Sequence, residues 1–250
     1  MSLEKTTVAH WNDAWARGVR PRLPSSLDIN VRNCKALFSR HVQPGMDVLE
    51  IGFAPGKMLA WVAQCLSANV TGVDYSPRGV EVANGLFRAL DIAADLRCES
   101  IFETTLRPAS FDLVCSAGVI EHFEDPRPIV AKHVELLRPG GVALIHVPNY
   151  GGLYGSLQAR LDPDNLALHN LHIMSLPALG ALAPQHNELT VNTYTWGRMS
   201  PWILSLPRLG IGRAGTALSW MLNGLAQLQP FKIDRLAPML VLEIRKRATH

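Results

Sequence analysis

The stretch VLEIGFAPGKML, residues 48–59, decides how the chain folds. A buried-strand pattern of apolar residues runs into glycines and then into a helical stripe (Met58, Leu59, Val62, Cys65, Leu66). A dinucleotide turn requires G-x-G-x-x-G, with glycine at three places for steric reasons. Here the spacing is Gly52-x-Ala54-x-Gly56, and Lys57 occupies the third glycine's slot. The phosphate loop G-x-x-x-x-G-K-[ST] fails too, because Gly52 and Gly56 stand one residue too close and Met58 replaces the hydroxyl. Glu50, at the end of the strand, would repel a pyrophosphate but suits a ligand that brings an ammonium group. The helix amino terminus beside it offers N–H groups to a carboxylate.

Outward from this turn, strand and helix alternate. NVTGVDYS, DLRCES, FDLVCSAG and GVALIHVPN read as further strands. KMLAWVAQCL, SPRGVEVANGLFRAL (Ser76 as cap, Pro77 at the first position) and PRPIVAKHVELL, stopped by RPGG, read as helices. Intervals of roughly 20–30 residues are those of βαβ units. Strands that are apolar throughout imply helices on both faces. Upstream, HWNDAWARG predicts a short helix, and a second helix is expected over 25–41 with Ser25 or Ser26 as its cap. Downstream, SLPALGALA predicts a helix, while ELTVNTYTW and APMLVLEIRKR predict two late strands. The expected fold is α/β and doubly wound, as one domain over 1–250. It comprises a helical cap at 1–45, a ligand-binding core at 46–149 and a substrate side at 150–250 with a helical insertion at about 197–237.

At 250 residues, 48% hydrophobic and 18% charged, the composition is that of an ordinary globular chain. The start, MSLEKTTVAHWNDAW, lacks the apolar core of a secretory signal, and no run of eighteen apolar residues occurs. Cys34, Cys65, Cys98 and Cys115 stand singly, with no Cys-x-x-Cys spacing, against a structural zinc site or a disulfide framework. A cytoplasmic setting is expected. Residues 1–196 carry 16 Lys+Arg against 19 Asp+Glu, whereas residues 197–250 carry 8 against 2. The basic excess is confined to the carboxyl-terminal fifth, which points to an anionic surface or ligand, or to a plain solvated face.

Asp74 ends the second strand, 22 residues after Gly52, where a carboxylate accepts bonds from both ribose hydroxyls. A nucleoside with an amino acid at its far end meets every condition so far, and S-adenosylmethionine is such a ligand. VLEIGFAPG, VTGVDYSP, FDLVCSAGVIEHFEDP and LLRPGGVALIHVPN, in that order, resemble the class I S-adenosylmethionine-dependent methyltransferases of the small-molecule type. The resemblance covers 46–149 well and the late strands loosely. It implies a seven-stranded, mostly parallel sheet with an antiparallel last strand. It further implies that Gly52, Phe53, Ala54 and Gly56 wrap the methionine end, that Asp74 and Tyr75 serve the ribose, and that Ser116 and Ala117 line the sulfonium side. The adenine would lie against Ser100 and Ile101. Ser100 stands where relatives have an acidic residue, so Ser100 or Glu99 would take the adenine amino group.

Methyl transfer to a hydroxyl needs the proton removed by a base or a metal. His122, in GVIEHFEDP, leads the candidates, since the resemblance places a Glu-His pair at the acceptor pocket. His169 and His172, in LALHNLHIMS, form a second pair. Relatives that use metal carry an acidic residue where this chain has Gly118, so no metal is expected. Asn149 and Tyr150, after the fifth strand, are expected in the substrate pocket, and Trp11 and Trp15 either close over the cofactor or merely pack.

In RAGTALSWMLNGLAQLQ, apolar residues at 214, 217, 218, 221, 222, 225 and 228 trace a helical stripe near Arg208, Arg213, Lys232 and Arg235. Four readings stand open for it: a lid over a hydrophobic substrate, a homodimer face, an interfacial helix making peripheral membrane contact, or core packing. The expected activity is methyl transfer to a small-molecule or lipid-linked acceptor, at a hydroxyl of a sugar, glycolipid or quinone-like compound. A nicotinamide-dependent oxidoreductase and a non-catalytic S-adenosylmethionine-binding protein are the alternatives. Nucleic acid is not expected as a partner, because the main domain is acidic.

Overall fold

The structure is a computed structural model and describes residues 4–206, 213–229 and 233–248. Seven strands form one sheet: β1 (Asp47–Ile51), β2 (Asn69–Asp74), β3 (Asp95–Cys98), β4 (Phe111–Ala117), β5 (Leu137–Pro148), β6 (Leu189–Trp196) and β7 (Met239–Lys246). Their spatial order is β3-β2-β1-β4-β5-β7-β6. β7 runs antiparallel to both its neighbours and the other pairings are parallel, as the resemblance implies. The order reverses between β1 and β4, so a crevice opens beyond their carboxyl ends.

Alternate side chains enter opposite faces of the sheet, and both faces are buried. Leu49, Ile51, Val114, Ile145 and Leu242 pack with helix α5 (Arg127–Leu136) and the chain after β5. Val48, Leu113, Leu144 and Val241 pack with α2 (Ile29–Phe38), α3 (Lys57–Leu66) and α4 (Pro77–Ala89). Two-sided burial is why these strands read as apolar runs rather than as alternations. Ser76 caps α4 as expected, accepting from the Gly79 N–H. Its hydroxyl also donates to Asn12 Oδ1, which docks the first helix, α1 (Val8–Trp15), against the start of α4.

Three boundaries differ from expectation. The second helix begins at Ile29, not Ser25, because Asp28 is the better cap: its carboxylate accepts from the Asn30 and Val31 N–H groups. RPGG does not merely stop α5. Leu137 already pairs with Phe111, the register slips across Arg138–Gly141, and pairing resumes at Val142 with Leu113. SLPALGALA yields one turn of helix, α8 (Leu176–Gly180), capped by Ser175, after two short helices, α6 (Leu153–Leu161) and α7 (Pro163–Ala167).

The late insertion does contain a helix, α9 (Arg213–Gln227), but its orientation overturns the core-packing reading of the stripe. The buried side is Gly215, Ser219, Asn223 and Ala226, while Met221, Leu225 and Leu228 are exposed. Polar bonds to α2's entry outcompete the apolar stripe: Asn223 Oδ1 accepts from the Ile29 N–H, and Asn223 Nδ2 donates to the Leu27 carbonyl. Arg208 and Lys232 lie outside the described residues.

Candidate active site

The crevice beyond β1 and β4 is a mainly apolar cleft of about 850 Å³, measured to its open mouth. Four strand ends contribute: Gly52 and Ala54 after β1, Asp74 and Tyr75 at β2, Glu99 to Phe102 after β3, and Ala117 to Val119 with His122 after β4. Trp11 and Trp15 also line the cleft, near-parallel at 6.3 Å between ring centroids. Gly52 sits at φ +70°, and a Cβ there would come within 2.5 Å of Val119, so glycine permits the close turn at the floor of the cleft. Gly56, at φ +82°, starts α3 without lining the cleft.

Asp74 organises this turn. Its two oxygens accept from the Ala54 N–H at 3.1 Å and the Ser76 N–H at 2.8 Å, tying the glycine loop to the end of β2. A carboxylate offers about four acceptor positions, so capacity remains for a diol. Burial raises its pKa, and the two backbone N–H groups oppose that rise.

Other expected residues divide. Tyr75, Ser100, Ile101 and Ala117 line the cleft; Glu50, Phe53 and Ser116 do not. Phe53 packs into the core against Gly72. Ser116 is buried and its hydroxyl donates to His133 Nε2 at 3.0 Å, so it holds α5 to β4 rather than facing a ligand. Glu50 is buried among Cys34 and Cys115; burial first, then the Asp74 charge, pushes its carboxyl up to about 8. Burial thus favours its neutral form, and Glu50 stands behind the cleft rather than on its lining.

Titratable side chains cluster around His122 on the wall of the cleft. His122 Nδ1 donates to the Leu168 carbonyl at 3.0 Å, and His169 Nδ1 donates to the Asn165 carbonyl at 2.9 Å. Carbonyls only accept, so both neutral rings are fixed as Nδ1–H tautomers with a lone pair on Nε2. The rings lie 4.9 Å apart. Trp11 meets His122 edge-on at 5.2 Å, and Tyr150 meets His169 at 5.1 Å. Burial, then the neighbouring His169, lowers the pKa of His122 to about 4. Glu121 is buried, its Oε2 has no hydrogen-bond partner, and burial pushes it up to about 8. One donor atom each from Glu121, His122 and His169 lies within 4.8 Å of the others. Such a trio can pass a proton or close around a divalent cation. His172 is exposed and outside the group. Asn149 lines a second groove with Gly151, Leu153 and Arg235, and Tyr150 bonds to the Ile203 carbonyl at 2.6 Å.

Sequence reasoning missed Glu4, Thr6, Phe102 and Phe123, which also line the cleft. Glu4 bridges to Phe123, and the Lys5 N–H donates to the His122 carbonyl at 2.7 Å, pairing segments more than a hundred residues apart. No local pattern signals such a pairing.

A doubly wound sheet with an antiparallel β7, an acidic residue ending β2 and a cleft at the β1/β4 switch point defines the class I methyltransferase fold. Residues 49–145 match the family described as a methyltransferase domain. The chain is 32% identical over 112 residues to a ubiquinone biosynthesis O-methyltransferase of Xanthomonas campestris, covering 44% of this chain and 46% of that protein. It is 33% identical over 138 residues to the mitochondrial counterpart of Schizosaccharomyces pombe, covering 54% and 48%. The chain thus spans about half the length of these curated relatives. Among solved structures, phosphoethanolamine N-methyltransferase 2 of Haemonchus contortus superposes with a TM-score of 0.60 at 18% identity, over 87% of this chain and 52% of that one. The plantazolicin methyltransferase BpumL, in complex with S-adenosylhomocysteine, gives 0.57 at 18% over 96% and 89%. A [4+2]-cyclase, SpnF, gives 0.56 at 16% over 86% and 80%, so the fold by itself does not specify the reaction. Among the described residues no helix is long and apolar enough to cross a membrane.

Proposed function

We propose that the chain methylates a hydroxyl of a small-molecule or lipid-linked acceptor, with His122 as the general base. The observation that carries this reading is the orientation of His122: it lines the cofactor cleft with Nδ1 committed to Leu168 and Nε2 left as a lone pair. The residues fit the cofactor, since Asp74 retains acceptor capacity for a diol and the glycine floor leaves room for close approach. When bound, S-adenosylmethionine supplies a methyl group on a positively charged sulfur.

His122 Nε2 would accept the proton that the acceptor hydroxyl gives up as its oxygen is methylated. A base with a pKa of about 4 suffices, because an oxygen giving electron density to carbon becomes far more acidic as the bond forms. His169, one ring away, would pass the proton on, and Trp11 packs edge-on against the base. Names among the relatives favour an oxygen acceptor: the ubiquinone proteins are O-methyltransferases.

Mass spectrometry after incubation with S-adenosylmethionine and matched phenol, sugar-alcohol, amine and thiol acceptors tests the reading. Methylation of hydroxyl acceptors, lost in His122→Ala, is expected. Methylation of the amines alone would refute the oxygen assignment.

A further inference from the structure

We propose that the outward face of α9 docks on a bilayer surface bearing anionic lipid headgroups. Met221 is 57% exposed, Leu225 55%, Leu228 77% and Trp220 49%. At 100° per residue, Ala217, Met221, Leu225 and Leu228 lie on the side opposite the buried Gly215, Ser219, Asn223 and Ala226. The helix is therefore inverted relative to an ordinary packed helix: its small and polar residues face the protein and its large apolar residues face out. The inward side is held firmly. Asn223 bonds to Ile29, Leu27 and Trp202 Nε1, and Gln227 bonds to the Leu27 carbonyl and to Arg32. Leu27, beside that anchor, is itself 74% exposed and extends the apolar patch.

Charge names the occupant. Residues 213–229 contain no Asp or Glu. Arg213 opens the helix, and Arg198 and Arg32 bond to Gln227 at its other end. Beside these three arginines, the carboxylate next to the Leu27 anchor, Asp28, has an oxygen bound to the α2 N–H groups. A large apolar strip framed by cations matches an acyl boundary beneath anionic headgroups, and Trp220 suits its polar–apolar border. A second copy would bring like charges together across a two-fold axis, which is unfavourable. The lid reading is not supported either, as no α9 residue lines the cofactor cleft.

The test is flotation of the full chain with vesicles of phosphatidylcholine containing about 30% phosphatidylglycerol, beside vesicles of phosphatidylcholine alone. The wild type is expected to float with the anionic vesicles, about tenfold more than with the neutral ones, and to be released by roughly 0.5 M salt. Leu225→Asp with Leu228→Asp should lower flotation tenfold or more while leaving S-adenosylhomocysteine affinity unchanged, which certifies the fold. Equal flotation with neutral vesicles overturns the anionic assignment. A wild type that stays in solution as a dimer, and that the double variant renders monomeric, gives the face to a second copy and overturns the proposal. None of these readouts depends on the acceptor or on methyl transfer.

Discussion

His122 and His169 face each other with 4.9 Å between ring centroids, each with its Nδ1 proton donated to a carbonyl contributed by the segment after β5. The pair joins two stretches 47 positions apart, and His122 lines the cleft. His122→Ala should lower turnover on a hydroxyl acceptor about 100-fold and leave S-adenosylhomocysteine affinity within about threefold. Steady-state kinetics beside calorimetric titration separates the two effects, and unaltered turnover would remove the need for this base.

The pH profile follows from the same ring. Its folded pKa is lowered to about 4, so the neutral, proton-accepting form is present above that value and is lost as pH falls through it. Turnover should be flat between pH 6 and 8 and fall only below about pH 5. A profile that titrates near 6.5 would mean a solvated imidazole and a different base.

Asp74 joins β2 to the glycine loop through two backbone N–H groups. Asp74→Ala removes both bonds together with the carboxylate proposed to hold the ribose. Charge-assisted bonds are each about 1.5–3 kcal/mol, so S-adenosylhomocysteine affinity should fall at least tenfold by calorimetry. Wild-type affinity in this variant would move the ribose site elsewhere.

Glu50 predicts a gain in stability. Its pKa is about 8 when folded against an ordinary 4.5, so the unfolded chain releases this proton first as pH rises. Stability present below pH 4.5 is therefore lost progressively up to about pH 8. Glu50→Gln should be near neutral at pH 4.5 and raise Tm by roughly 2–8 °C at pH 7.5. A lower Tm at both pH values would show that the carboxylate has an ionic partner.

Exhaustive dialysis against a chelator separates the two things that Glu121, His122 and His169 can hold. With a proton in that place, turnover should be unchanged after metal removal. A loss restored by a divalent cation would convert the trio into a metal centre and displace His122 as base.

The order of elements and the cofactor class were legible in the sequence, because both depend on local chemistry. Two-sided burial makes the strands apolar throughout, a positive φ selects glycine at Gly52, and a carboxylate must end β2 if a ribose is to be held there. These are constraints that neighbours in the chain impose on each other. What only the tertiary structure decided is which groups meet. Glu50 and Ser116 stand in the right motifs, yet the sheet turns one into the core and gives the other to His133. Glu4 reaches the cleft through a bridge to Phe123, and the apolar stripe of α9 points outward because Asn223 binds the α2 entry more favourably than leucines would. Spacing records which residues share a strand or a helix turn; facing, burial and partnership across the fold come from packing between distant segments, which no local pattern encodes.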